Sequence, residues 1–140
     1  QSLPKQSYSF KKRVVAPRKY YAIDNGLATA SNPQSTPDRG RRLENQIFLA
    51  LRQRGVEPCY DAELDAWECD FVYRDTALQV CLELNDGNIV RETKGLLGAI
   101  KRSRGLLKQA VILTRDQSDQ IEMDNQVINV YPAWQWLHKS

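Results

Sequence analysis

The stretch from Trp67 to Leu84, WECDFVYRDTALQVCLEL, constrains this chain most, because apolar and polar residues alternate in it with a period of two. That is the pattern of two half-buried strands joined by a tight turn. One face collects Cys69, Phe71 and Tyr73 with Val80, Leu82 and Leu84, and reads as core. The other carries Glu68, Asp70 and Val72, then Gln79, Cys81 and Glu83. With Asp75-Thr76 as a two-residue loop, Tyr73 faces Leu78, Asp70 faces Cys81 and Glu68 faces Glu83. Like charges directly opposite destabilise a hairpin, so this register asks for a cation, either lysine or arginine side chains or a divalent metal. The plainer reading is a solvated face on which the repulsion is screened.

Regular elements are expected on both sides of the hairpin. Residues 1 to 19 hold Lys5, Lys11, Lys12, Arg13, Arg18 and Lys19 with Pro4 and Pro17, and read as an extended basic connector, with a domain over 20–140. Tyr20 to Ile23 suits a short strand closed by Asp24-Asn25-Gly26, and SNPQSTP suits a loop. Asp38 is the expected cap of a helix that runs to about Arg54 and stops at Gly55. Strands are expected over about Glu57 to Tyr60, Glu68 to Tyr73 and Leu78 to Leu84. A helix from about Val90 to Arg104 follows, with Leu96, Leu97 and Ile100 as its apolar stripe. QAVILT, Gln109 to Thr114, reads as a strand covered on both faces, and Val127 to Tyr131 as another. Pro132 then opens a short helix whose Trp134 and Trp136, two residues apart, cannot enter one core together. This order predicts an α/β fold, a central mixed β-sheet flanked by helices.

Charge is unevenly spread. Residues 1 to 54 hold eleven Lys and Arg against three acids, a net +8, whereas the rest hold nine against fourteen, a net −5. A basic half suits an anionic partner such as nucleic acid, or an acidic neighbouring domain. No run approaches a membrane span and no start resembles a signal peptide, so a soluble, cytoplasmic chain without membrane contact is expected. The chain opens on Gln1 and its one methionine is Met123, which leads to the expectation of a piece of a longer polypeptide. Cys59, Cys69 and Cys81 lack zinc-type spacing and are expected as reduced thiols, and the one histidine, His138, sits near the end, with little room for a His-based catalytic pair.

In the helix from Asp38, Leu43, Ile47, Phe48, Ala50 and Leu51 share a face, and Glu44 projects from within it. A carboxylate there needs a partner: an arginine or backbone donors, an escape route along the edge of the stripe, or a metal.

A helix with an inward glutamate, then a strand with Glu-x-Asp, then a strand with a polar-x-polar pair together resemble the PD-(D/E)XK, or restriction-endonuclease-like, superfamily. Over residues 8 to 138 the pieces YSFKKRVVAPRKYYAIDNGL, DRGRRLENQIFLALRQRG, ECDFV, QVCLEL, RETKGLLGAI, AVILTRD and YPAWQWL look like the C-terminal domain of a family of prokaryotic AAA-type P-loop ATPases. The resemblance implies a nuclease-like, nucleic-acid-associated domain whose partners include the ATPase portion of the same polypeptide. Residue by residue, it places Glu44 at the helix glutamate, Asp70 at the strand aspartate and Gln79 at the second, usually acidic, strand position, with Mg2+ as cofactor. Glu68 and Glu83 could enlarge that metal site. Cys81 stands where the family has its lysine, and Lys94, beside Arg91 on the next helix, is the candidate amine to replace it. Lys11, Lys12, Arg13, Arg41 and Arg42 are the expected phosphate contacts. No GxxxxGK[ST] occurs, so no P-loop nucleotide site is expected in this chain. Three functions compete: Mg-dependent phosphodiester hydrolysis, a non-catalytic module that binds nucleic acid or protein and regulates the ATPase, and a structural domain for assembly, with a homo-oligomer among its forms.

Overall fold

The computed structural model describes residues 2–6, 19–20 and 36–139. Among these, β1 (Ser2–Leu3) and β2 (Lys19–Tyr20) form a small antiparallel pair. The main unit runs α1 (Thr36–Gln53), β3 (Cys59–Glu63), β4 (Trp67–Tyr73), β5 (Thr76–Val80), α2 (Ile89–Arg102), β6 (Gln109–Thr114), β7 (Asp119–Met123), β8 (Gln126–Pro132) and α3 (Ala133–His138). Its six strands lie in the order β3-β4-β5-β6-β8-β7. The central pairs β5/β6 and β6/β8 are parallel and the outer pairs antiparallel, so the sheet is mixed and the fold α/β, as the element order predicts.

Helices cover both faces. Ile47, Phe48 and Leu51 of α1 pack with Phe71, Leu78, Val80, Val111 and Leu113 on one side, joined there by Ala133 of α3. Leu96 and Ala99 of α2 pack with Val72, Ala77, Ala110, Ile112, Ile128 and Val130 on the other. Period-two alternation in β5 and β6 supplies both cores at once. On β5 this corrects the half-solvated hairpin, since every residue from Thr76 to Val80 is buried between the two helical layers, whereas on β4 Glu68 stays exposed and Asp70 half-buried.

The register is corrected too. Phe71 pairs with Leu78, Val72 with Ala77 and Tyr73 with Thr76, so the two-residue loop is Arg74-Asp75. Arg74 takes the left-handed turn at φ 51°. Thr76, β-branched, is held in the strand between Tyr73 and Gln109. The shift by two residues leaves Phe71, Tyr73 and Val80 together on the α1 side and Val72 on the other, as expected, but Cys69 crosses over and packs with Val72 on the α2 side. It also removes the Glu68–Glu83 clash, since β5 ends at Val80.

Other boundaries move for local reasons. Asp38 is not the cap, because α1 already begins at Thr36, where the fixed φ of Pro37 suits a first helical turn. Gly55 closes the helix as expected, at φ 78°. Strand β7 was not expected: DQIEM offers one aliphatic residue and forms by pairing with β8. The expected strand residues Tyr21 to Ile23, the Asp24-Asn25-Gly26 turn and the basic residues Lys11, Lys12 and Arg13 lie outside the described residues. No helix among the described residues is long and apolar enough to cross a membrane.

Candidate functional site

Beyond Phe71 and Leu78 the β4/β5 ladder stops, and each strand turns to its other neighbour. Glu68 and Cys69 pair with β3, while Gln79 and Val80 pair with β6. Side chains bridge the resulting split. The Asp70 amide donates to Gln79 Oε1 at 2.7 Å, Gln79 Nε2 donates to the Glu68 carbonyl at 2.7 Å, and the Val80 amide donates to Asp70 Oδ2 at 2.9 Å. Gln79 Nε2 also reaches the Glu92 carbonyl at 3.2 Å, which ties α2 to the split. Buried backbone groups that lose their ladder must find partners elsewhere, and here Asp70 and Gln79 provide them. Helix α2 can come this close because it presents Gly95, where a Cβ would collide with the Glu68 carbonyl and the Gln79 amide, and Gly98, where a Cβ would collide with the Trp67 ring.

A cleft of about 430 Å³ opens at the C-terminal end of β5, between α1 and the start of α2. Four arginines line it: Arg39 and Arg41 from the first turns of α1, Arg91 from α2, and Arg115 just after β6. Between them lie the carboxylates of Glu44, Glu83 and Glu92 and the Cys81 thiol. The backbone below is firmly held. The Cys81 amide donates to the Leu113 carbonyl and the Arg115 amide to the Leu82 carbonyl, each at 3.0 Å. Gln117 clamps Leu84 through both its amide and its carbonyl, at 2.7 and 3.0 Å.

Glu92, only 6% exposed, was not singled out from the sequence. Its position four residues before Leu96 puts it on the stripe of α2, by the same argument that exposes Glu44 on α1. Burial raises its pKa, Arg91 at 3.1 Å works against that, and the charges of Glu44 and Glu68 raise it further. Cys81 is pushed up to about 12, first by burial and then by the Glu92 and Asp70 charges, so its thiol stays protonated at neutral pH.

Of the residues expected at the site, Glu44, Cys81 and Glu83 meet at the cleft, as do Arg91 and Arg41. Asp70 and Gln79 lie in the split, with Gln79 buried. Glu68 is exposed on β4, and its carbonyl, not its carboxylate, holds Gln79. Lys94 is exposed on α2 and Arg42 half-buried on α1, and neither lines the cleft. As placed, the donors do not close on a metal: Gln79 Oε1 and Asp70 Oδ2 accept amides. Among the described residues no three His, Cys, Asp or Glu side chains form a group able to hold a metal ion. All three cysteines are free thiols.

The fold and cleft define an α/β domain with an acidic floor under an arginine rim. No family model matches the chain, and no solved structure matches it. It is similar to an uncharacterised protein of Methanocaldococcus jannaschii, 32% identical over 140 aligned residues that cover 93% of this chain and 31% of the relative. It is also similar to an uncharacterised protein of Haemophilus influenzae, 31% identical over 121 residues, 85% of this chain and 28% of the relative. The chain thus spans less than a third of the length of either relative.

Proposed function

We propose that this chain is a nuclease-like domain that binds the phosphates of nucleic acid in the arginine-rimmed cleft without cutting them, as part of a longer prokaryotic ATPase. The convergence of Arg39, Arg41, Arg91 and Arg115 on one cleft carries the reading. Guanidinium groups bind phosphate in a bidentate way and stay charged at all working pH values. Loss of catalysis is supported by Cys81, which offers a protonated thiol where a nuclease of this type needs an ammonium group, and by Gln79, whose amide is spent on backbone. Fluorescence anisotropy with labelled single- and double-stranded oligonucleotides tests it. Binding that weakens steeply with salt is expected, and salt-independent binding would point to a protein partner instead.

Magnesium-dependent hydrolysis is a second reading, favoured by one observation. Glu44 and Glu68 are near enough for their charges to act on Glu92, and a divalent cation relieves such repulsion. Nicking of supercoiled DNA in manganese, abolished by Asp70→Ala and Glu92→Gln, would establish it.

A further inference from the structure

Residues 2–6 fill a groove at the far edge of the sheet, away from the arginine cleft. Leu3 is completely buried, in the core with Ile47, Phe48 and Leu51. The Tyr60 amide donates to the Pro4 carbonyl at 3.0 Å, and the Gln6 amide donates to the Tyr60 carbonyl, so the segment lies parallel to β3 and joins it through a single bridge between Lys5 and Tyr60. An edge strand with unpaired backbone groups is a template for added chain, and such pairing is a recurrent mode of peptide recognition. A surface pocket of about 390 Å³ lies beside the segment, against Ser2, Pro4, Phe48, Arg52, Glu57 and Cys59.

A charge marks the next position along the groove. Asp61 is fully buried. Its Oδ1 accepts the Ala62 amide at 2.9 Å and lies 3.6 Å from Arg102 Nη1, while its Oδ2 accepts no hydrogen bond among the described residues. Burial raises the pKa of this carboxylate, and the charges of Arg102 and, more weakly, Lys5 work against that. A buried carboxylate with one oxygen unsatisfied favours a cation on the occupant. Leu3 and Lys5 thus supply an apolar anchor and, two residues on, a basic residue.

We propose that this groove is a docking site for an extended peptide with a leucine anchor and a basic residue two positions later, and that the chain's own residues 2–6 hold it closed. The tether gives the internal segment a high effective concentration, so a peptide supplied in trans competes poorly until the segment is unseated. A partner that brings the same pattern would displace residues 2–6 by strand exchange along Tyr60.

The test uses the full chain carrying Leu3→Asp and a dye-labelled peptide of residues 1–7. Saturable binding to the variant is expected, with the wild-type chain at least about 10-fold weaker because its own segment competes. A peptide with Lys5→Glu is expected to bind more weakly than the native peptide. Absence of saturable binding to a Leu3→Asp chain that still melts cooperatively would overturn the proposal. Should Leu3→Asp fail to fold, amide exchange on the wild-type chain decides. Faster exchange at Tyr60 than at Phe71, through local release of the segment, supports the latch. Equal protection of the two amides would overturn it, because the segment would then leave only on global unfolding.

Discussion

Gln79 shows how a side chain's role can depend on hydrogen-bond geometry that no spacing reveals. From the sequence it is the second strand position of a metal site; in the fold its amide bridges Asp70, Glu68 and Glu92 across a split in the sheet. The bridge depends on the absence of a Cβ at Gly95. Gly95→Ala should therefore destabilise the domain by about 1 to 3 kcal/mol, the range for overpacking against groups that cannot yield, with a lower urea midpoint as the readout. Glu92 gives a pH-dependent counterpart. Its pKa is raised above the ordinary 4.5, so the folded state holds this proton more tightly than the unfolded chain does. Stability from this group is then largest at low pH and is lost as pH rises from 4.5 through the raised value. Relative to Glu92→Gln, the wild-type urea midpoint should fall between mildly acidic and neutral pH, and parallel profiles for the two proteins would contradict this. Glu44 was legible as an inward acid because Ile47 and Phe48 frame it on the helix wheel. Glu92 carried the same signal through Leu96, whereas the fates of Gln79 and Asp70 depend on where two strands part, which alternation does not encode.

Among the elements, those with strong apolar periodicity were legible, and those formed by pairing were not. Strand β6 matches QAVILT because a strand buried on both faces has an unbroken apolar run. Strand β7 escaped notice because a polar edge strand takes its conformation from β8. Most hairpin residues fell on their expected faces, though Cys69 crossed to the α2 side, and the register differed, since turn position rests on whether Thr76 or Arg74 occupies the loop, and burial of Thr76 against β6 decides that. The short α3 gains its place from Arg54, which stacks over the Trp136 ring at 4.1 Å. Arg54 Nη2 also donates to the carbonyls of Trp136 and Leu137 at 2.9 and 3.3 Å. Arg54→Ala should release the end of α3 and lower stability by about 1.5 to 3 kcal/mol, as for other hydrogen bonds to charged groups. The readout is a change in tryptophan emission before the main unfolding transition. Trp134, 58% exposed on the other side of α3, should remain quenchable by iodide in both proteins.

At the scale of the molecule, the sequence's charge division has a structural echo. Arg39 and Arg41 from the basic half stand across one cleft from Arg91 and Arg115, which belong to the half with net negative charge. A cleft with an arginine rim attracts phosphates, and counterion release makes that attraction fall with salt in proportion to the charges engaged. The most direct measurement is the salt dependence of oligonucleotide binding for the wild type and for a variant with Arg39, Arg41, Arg91 and Arg115 replaced by alanine. Four phosphate contacts correspond to a log–log slope of about −3, so the variant should bind more weakly and its slope should be shallower by about that amount. A folded variant that keeps the wild-type affinity and slope would contradict nucleic-acid binding in this cleft.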